Sequence, residues 1–149
     1  MKDEYNKIQK KFKLPDFDDL NKDFEISSVE TEPFLLRNIR NKLFENIEHV
    51  TAILDDLVHP DKFTSLTESA VLTEQDKEMI ITLYKQLMYY SRLALEISVE
   101  DSDDLNANFI NEFYLFWNES KKILLIITKK MKDCWTNNTV EKSDIAYFG

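Results

Sequence analysis

The segment IITLYKQLMYYSRLALEI, residues 80–97, decides the fold class of this chain. When its residues are placed at about 100° per residue around a helix, apolar side chains cover most of the circumference. Within this segment only a polar stripe remains, which consists of Thr82, Lys85, Tyr89, Arg92 and Glu96. Other elements must cover such a helix on most of its sides. The pattern therefore predicts the central and most buried helix of a bundle.

Two further long helices are predicted around this segment from their start signals. Thr31 is a suitable N-cap for the first helix, and Pro33 suits its first turn. The central helix follows Thr73, and the third follows the acidic stretch DSDD at 101–104. Because their lengths are similar, we expect an all-α bundle of three long antiparallel helices. The three helices are predicted over residues 32–59, 73–100 and 102–136.

The composition supports a single helical domain. The chain has 149 residues, enough for one substantial core, with one glycine and three prolines. Hairpins need glycine in their tight turns, so this scarcity favours few long helices. We predict one domain over 1–136, a short helical turn in the linker 60–72 and a loose tail over 137–149.

Residues 14–30 form an acidic strap that carries large apolar side chains. Residues 15–34 contain one Lys against seven acids, whereas residues 1–13 form a basic arm. Phe17, Leu20 and Phe24 recur at intervals of three and four residues. This spacing predicts a short amphipathic helix over 16–24 with Asp16 as its N-cap.

The third long helix offers the strap a surface to cover. Its first apolar row includes Phe109, Phe113 and Phe116, and a second row includes Tyr114 and Trp117. Two such rows exceed what two neighbouring helices normally cover, so we expect the strap to pack across the second row. The competing interpretation is that 14–26 is a recognition peptide for a groove on another protein.

Few residues suggest chemistry. The one glycine, Gly149, gives no phosphate-binding loop, and Cys134 occupies a core position of the third helix. Asp56 and His59 form a single carboxylate–histidine spacing, whereas helical di-iron sites need two such pairs and two further glutamates. We therefore expect no catalytic residue, no metal and no cofactor, and a protein that is not an enzyme.

Arg40 is unusual because it falls within the apolar stripe of the first long helix. Arginine is rarely buried without a partner. Three interpretations remain open: an ion pair with an acid of the strap, a side chain that extends to the end of the bundle, or a grip on a ligand carboxylate or phosphate.

Two lysine clusters could form a basic patch. Residues 120–135 hold five Lys against one acid, and the basic arm holds Lys7, Lys10, Lys11 and Lys13. If the arm returns to the end of the third helix, the clusters would join into a surface for RNA or a ribosome. A solvated helix end that complements the helix dipole also explains the first cluster. That cluster consists of Lys121, Lys122, Lys129, Lys130 and Lys132.

Charge and hydropathy indicate a soluble cytoplasmic protein. The net charge of −9 disfavours general nucleic-acid binding, which requires excess Lys and Arg. The longest apolar run is ILLII at 123–127, far short of the ~20 residues of a membrane span. No secretory signal or lipidation motif is recognised.

Four stretches carry a resemblance to a known group of proteins. They are PDFDDLNKDFEI, FLLRNIRNKL, YKQLM and MKDCW, and they span much of residues 14–135. In this combination the chain resembles small uncharacterised all-helical archaeal proteins. The group has no established activity, so the resemblance implies a cytoplasmic helical fold and transfers no site residues.

The function that we expect is a non-catalytic protein-interaction or assembly module. One form of this function is a homodimer that associates through the aromatic face of the third helix. The alternative is an RNA- or ribosome-associated protein that uses the two lysine clusters. The partner-binding residues expected under the first interpretation are Phe17, Leu20, Phe24, Tyr114 and Trp117.

Overall fold

The computed structural model describes residues 1–136, so the tail predicted over 137–149 lies outside the described residues. Within 1–136 the fold is all-helical, with 82 % of residues in helices and no strand. Six α-helices pack together around one apolar core. They are α1 (Lys2–Phe12), α2 (Phe17–Phe24), α3 (Leu35–Val58), α4 (Phe63–Ala70), α5 (Glu74–Val99) and α6 (Asp103–Asp133).

The starts of α5 and α6 follow the expected capping chemistry. The Thr73 hydroxyl accepts a hydrogen bond from the Asp76 amide at 3.0 Å, and the Asp76 carboxylate accepts one from the Thr73 amide at 2.9 Å. Ser102 caps α6 by accepting from the Leu105 amide at 3.2 Å. The prediction of a helix after Thr73 is confirmed, and so is the short helix in the 60–72 linker, which is α4.

The start of α3 differs from the prediction. Thr31 is not the N-cap, and the helix begins after Phe34, whose φ of 65° lies in the left-handed region. The Asn38 side chain donates to the carbonyls of Glu30 at 2.9 Å and Pro33 at 3.1 Å. These bonds fold the preceding segment back over the first turn of α3, so Thr31 lies outside the helix.

The segment predicted as a basic arm is a helix, α1. Its apolar residues Met1, Tyr5, Ile8 and Phe12 recur at intervals of four, three and four, so they share one face. Tyr5 is fully buried, and its hydroxyl donates to the Pro15 carbonyl at 2.6 Å. The prediction of a basic arm was therefore incomplete, because the five lysines lie on or beside a helix that also packs an apolar face against the core.

Short helices end here without glycine. Lys13 and Glu25 close α1 and α2 in the left-handed conformation, with φ of 53° and 54°. That conformation costs a non-glycine residue roughly 1–2 kcal/mol. Phe34 adopts the left-handed conformation as well, so three non-glycine residues among those described carry this cost. Scarce glycine therefore did not limit the chain to long helices.

The prediction that residues 80–97 form the central and most buried helix is wrong. Helix α3 buries eight of its 24 residues, whereas α5 buries seven of its 26. Helix α3 also packs against α2, α4, α5 and α6, and the principal partners of α5 are α3 and α6. Several apolar residues of α5 face outward, although Leu87 and Ala94 are buried as expected.

Candidate functional site

Helix α2 forms the strap, and its apolar residues face inward. The Asp16 carboxylate accepts a hydrogen bond from the Asp18 amide at 3.1 Å, which confirms Asp16 as the N-cap. Phe17, Leu20 and Phe24 are all buried in the common core. The strap therefore packs on its own chain.

Phe24 and Phe17 make different aromatic contacts. The ring centroid of Phe24 lies 5.5 Å from that of Trp117 and 5.8 Å from that of Phe113, so Phe24 covers both apolar rows of α6. Phe17 instead makes an edge contact with Tyr5, at 5.4 Å between ring centroids. A contact between Phe17 and the second row of α6 stays a prediction.

Ion pairs fix the strap at both ends. Asp23 accepts from Lys121 of α6 at 2.9 Å, and Asp18 pairs with Lys2 of α1 at 2.9 Å. The Lys121–Asp23 pair is partly buried, whereas the Lys2–Asp18 pair is exposed and therefore contributes little to stability. The acids of the strap thus meet lysines of α1 and α6.

The expected partner-binding residues lie together, inside the fold. Phe17, Leu20, Phe24 and Trp117 are buried, and Tyr114 is half-buried. A partner could contact the four buried residues only after α2 had left the core. Their role in binding stays a prediction that requires this opening.

Acids neighbour most of the last-helix lysine cluster. Lys130 pairs with Asp76 at 2.6 Å, and Lys121 pairs with Asp23. Lys122 lies 3.4 Å from Glu119, and Lys132 lies 3.4 Å from Asp133. The Lys130 bond and the Thr73 cap lower the pKa of Asp76, so this carboxylate is ionised in the folded chain. Lys129 is exposed.

The predicted joining of the two lysine clusters depends on where α1 docks on α6. Helix α1 docks where the Asn111 side chain donates to the Phe12 carbonyl at 3.1 Å. Asn111 and Lys129 are 18 residues apart on α6, which is about 27 Å along the helix axis. Phe12 and the adjoining Lys11 and Lys13 therefore dock far from Lys129. Lys121, in contrast, lies only about 15 Å along the axis from Asn111. A surface that joins the clusters stays a prediction.

Arg40 is buried and ion-paired, with a partner outside the strap. Its side chain is 3 % exposed, and its Nη1 lies 3.6 Å from Oδ1 of Asp101, in the turn between α5 and α6. Arg37 contacts the other carboxylate oxygen of Asp101. The expected partner in the strap is wrong because Arg40 points toward the α5–α6 turn.

Asp101 connects α3 to the start of α6. Its carboxylate accepts hydrogen bonds from the Arg37 guanidinium and from the side-chain amide of Asn106. Burial acts to raise the pKa of Asp101, but these hydrogen bonds and the charges of Arg37 and Arg40 lower it overall. A cavity of about 120 Å³ adjoins Arg40, with Phe44 and Leu95 in its wall. The single carboxylate of Asp101 faces both Arg37 and Arg40, and the buried Nη1 of Arg40 has no hydrogen-bond partner among the described residues. The cluster links α3 to the α5–α6 turn, with the Arg40 charge only partly compensated.

Cys134 differs from the expected core thiol. It lies half-buried at the C-cap of α6, where its Sγ donates to the Met131 carbonyl at 3.0 Å. Burial raises the pKa of this thiol, which disfavours the reactive thiolate. His49 and His59 are exposed, and no group of three or more metal-binding side chains occurs within residues 1–136.

Large apolar side chains stay exposed on α5 and α6. Tyr89 is 59 % exposed, Leu95 56 %, and Leu115 on α6 68 %. The exposure of Tyr89 agrees with its predicted place on the polar stripe of α5. Leu95 and Leu115 were predicted neither in an apolar row nor on the polar stripe. Leu115 stands one turn from Asn111, Asn118 and Glu119, which is a local signal for an outward position.

No helix among the described residues is long and apolar enough to span a membrane. Comparison of the chain with protein-family models, with curated proteins and with solved structures finds no significant match.

Proposed function

We propose that this protein is a non-catalytic protein-interaction module that binds its partner through the outer faces of α5 and α6. One observation carries the proposal: large apolar side chains on these two helices remain exposed after the fold has buried its core. Exposed apolar surface costs free energy in water, and a partner that covers it recovers that cost.

Position-dependent photo-crosslinking in an extract of the native cell tests this function. A photoreactive side chain at Leu95 or Leu115 should give a discrete crosslinked product. The matched control carries the same group at Glu48, which is exposed on α3. If all three positions give the same products, or none gives any, the proposal is wrong.

Self-association through the aromatic face of α6 is the second form of this function. Phe113 and Trp117 are covered by α2 within the same chain. A homodimer through that face would thus require α2 to exchange or open. Sedimentation across a range of protein concentrations tests for such a dimer, which should also display an altered Trp117 fluorescence.

The alternative function, RNA or ribosome binding, is favoured by one observation. Lys7, Lys10, Lys11 and Lys13 are all exposed on or beside α1. RNA affinity that falls steeply with salt, and that a K7Q/K10Q/K11Q variant loses, would support it. The pairing of Lys121 and Lys130 with acids argues against a role for the α6 cluster.

We also infer the finer arrangement of the bundle and the location of the protein. Contacts that join the start of α5 to the end of α6, such as Asp76 with Lys130, support an up-down-up antiparallel order of α3, α5 and α6. A cytoplasmic location, and kinship with the archaeal helical proteins named above, are proposals that rest on the sequence.

A further inference from the structure

A groove runs between the second half of α5 and the first half of α6, and we call it the α5–α6 groove. It encloses about 240 Å³. Its α5 wall carries Tyr89, Leu93, Glu96 and Glu100, at intervals of four, three and four residues. This spacing keeps side chains along one edge of a helix. From Tyr89 to Glu100 the wall extends about 16 Å.

The floor of the α5–α6 groove is apolar. Leu93 and Ile97 of α5 meet Phe109 of α6 there, and Leu105 stands at one end, 41 % exposed. None of the helices α1, α2 and α4 has α5 as a principal packing partner, because they dock on α3 and α6. Tyr89 and Leu105 therefore stay exposed along the groove, and Leu93 is half-buried. Ile97 and Phe109, at the base of the groove, are buried between α5 and α6.

The rim of the groove is acidic. Glu96, Glu100 and Glu112 are exposed along it, and no Lys or Arg lines the groove. None of the three carboxylates is ion-paired with another residue within 1–136. By contrast, the acids Asp23 and Asp76 elsewhere on the fold each hold a lysine. The rim thus presents uncompensated negative charge beside an apolar floor.

We infer that the α5–α6 groove binds a basic amphipathic helix of a partner protein. This inference rests on the proposed function and specifies its partner. The apolar edge of the incoming helix would cover Leu93 and Leu105, while its Lys or Arg residues meet the three glutamates. A cation can also lie over the exposed ring of Tyr89. About three helical turns fit the length of the groove.

Charge argues against other occupants. A second copy of this chain, with net charge −9, would bring its own three rim glutamates against these three in a two-fold contact. Such like-charge contact is unfavourable. Nucleic acid is repelled for the same reason, because its phosphates would face carboxylates.

A labelled synthetic peptide of about 14 residues serves as the probe. It contains only Leu and Lys, with Leu at the i, i+3, i+4 and i+7 positions of one helix face. Fluorescence anisotropy with the full chain measures its affinity at low salt. A scrambled peptide of the same composition keeps the charge and removes the apolar face, and spermine tests charge alone.

Two pairs of matched variants locate the binding. E96Q/E100Q/E112Q removes the rim charge, and E48Q/D55N/D56N removes equal charge from the exposed face of α3. The first should weaken binding about tenfold and the second no more than about twofold. L105N should weaken binding about fivefold, whereas V71N, at a similarly exposed apolar position at the C-cap of α4 and outside the groove, should leave it unchanged.

Equal weakening by the two triple variants would overturn the inference, as would equal binding of the scrambled peptide or the absence of binding. If spermine bound with the same dependence on the variants, the groove would be a general polycation site, and this result would also overturn the inference. Failure here is distinguishable from failure of the proposed function. Position-dependent crosslinks at Leu95 and Leu115 would still identify a protein partner of different chemistry.

Discussion

Helix α6 has one side that the chain covers itself and another that it leaves open. On the covered side, Phe24 of α2 packs on Phe113 and Trp117, and Lys121 pairs with Asp23. On the open side, Leu105 and Glu112 line the α5–α6 groove, and no described cation pairs with the acid.

The difference between the two sides lies in charge compensation. The strap brings acids to a side of α6 that presents lysines, so apolar burial and ion pairing act together. The groove presents acids, and nothing else in residues 1–136 brings cations to them. Burying the groove therefore requires a partner that supplies basic residues.

Deletion of residues 1–26 should produce the largest effect on stability. It removes six buried side chains of the core at once and exposes Trp117 and Phe113. We expect a large drop in melting temperature, together with aggregation and binding of an apolar dye. If the truncated protein instead melts at the same temperature and stays monodisperse, the covered side is not a structural interface. The strap would then be a recognition peptide.

Phe24→Ala should destabilise the protein by about 3–5 kcal/mol, because it leaves a cavity against two aromatic rings. The control is Tyr89→Ala in the open groove, for which we expect less than about 1 kcal/mol. Urea denaturation measures both. Similar losses for the two variants would mean that the groove is as much a part of the core as the strap.

Leu87→Ala should destabilise by about 2–5 kcal/mol, since Leu87 is fully buried on the inner face of α5. Leu95→Ala lies on the outer face of the same helix and should cost no more than about 0.5 kcal/mol. Equilibrium unfolding separates the two faces of α5. A small loss at Leu87 would contradict the packing described for this helix.

Asp76→Asn should destabilise by about 1 kcal/mol, because it removes the charge-assisted bond to Lys130. The folded-state pKa of Asp76 is lowered. Its stabilising contribution is therefore present above the unfolded-state pKa of about 3.9 and is lost as pH falls through the lower folded-state value. Unfolding measured at stepwise lower pH should show a flatter dependence for the variant below about pH 4. An unchanged dependence would exclude this role for Asp76.

Lys121→Gln should have the smallest effect, about 0.5–1 kcal/mol, by removing the ion pair to Asp23 of the strap. Lys122→Gln is the control, since its pair with Glu119 is fully exposed and should contribute almost nothing. The difference should shrink in high salt. Equal effects of the two substitutions would show that charge does not help to hold the strap.

Much of the fold could be predicted from local patterns. The starts at Thr73 and Asp16 were predicted because a capping side chain and its target amide are close in sequence. The burial of Phe17, Leu20 and Phe24 followed from their spacing on one helix face. The apolar face of α1 could also have been predicted from the spacing of its apolar residues, but the lysines led to the interpretation of this segment as a basic arm.

Partners distant in the sequence were decided by the tertiary structure alone. The sequence determined that Arg40 needed an acid, but the packing of α3 against the α5–α6 turn selected Asp101 over the acids of the strap. Likewise, the sequence determined that α5 is apolar on most sides with Tyr89 on its polar stripe, and only the assembled fold left Leu95 exposed. Periodicity fixes which residues share a face, because helix geometry is local. Which face is covered depends on contacts between elements far apart in the chain, so it becomes defined only when the helices pack together.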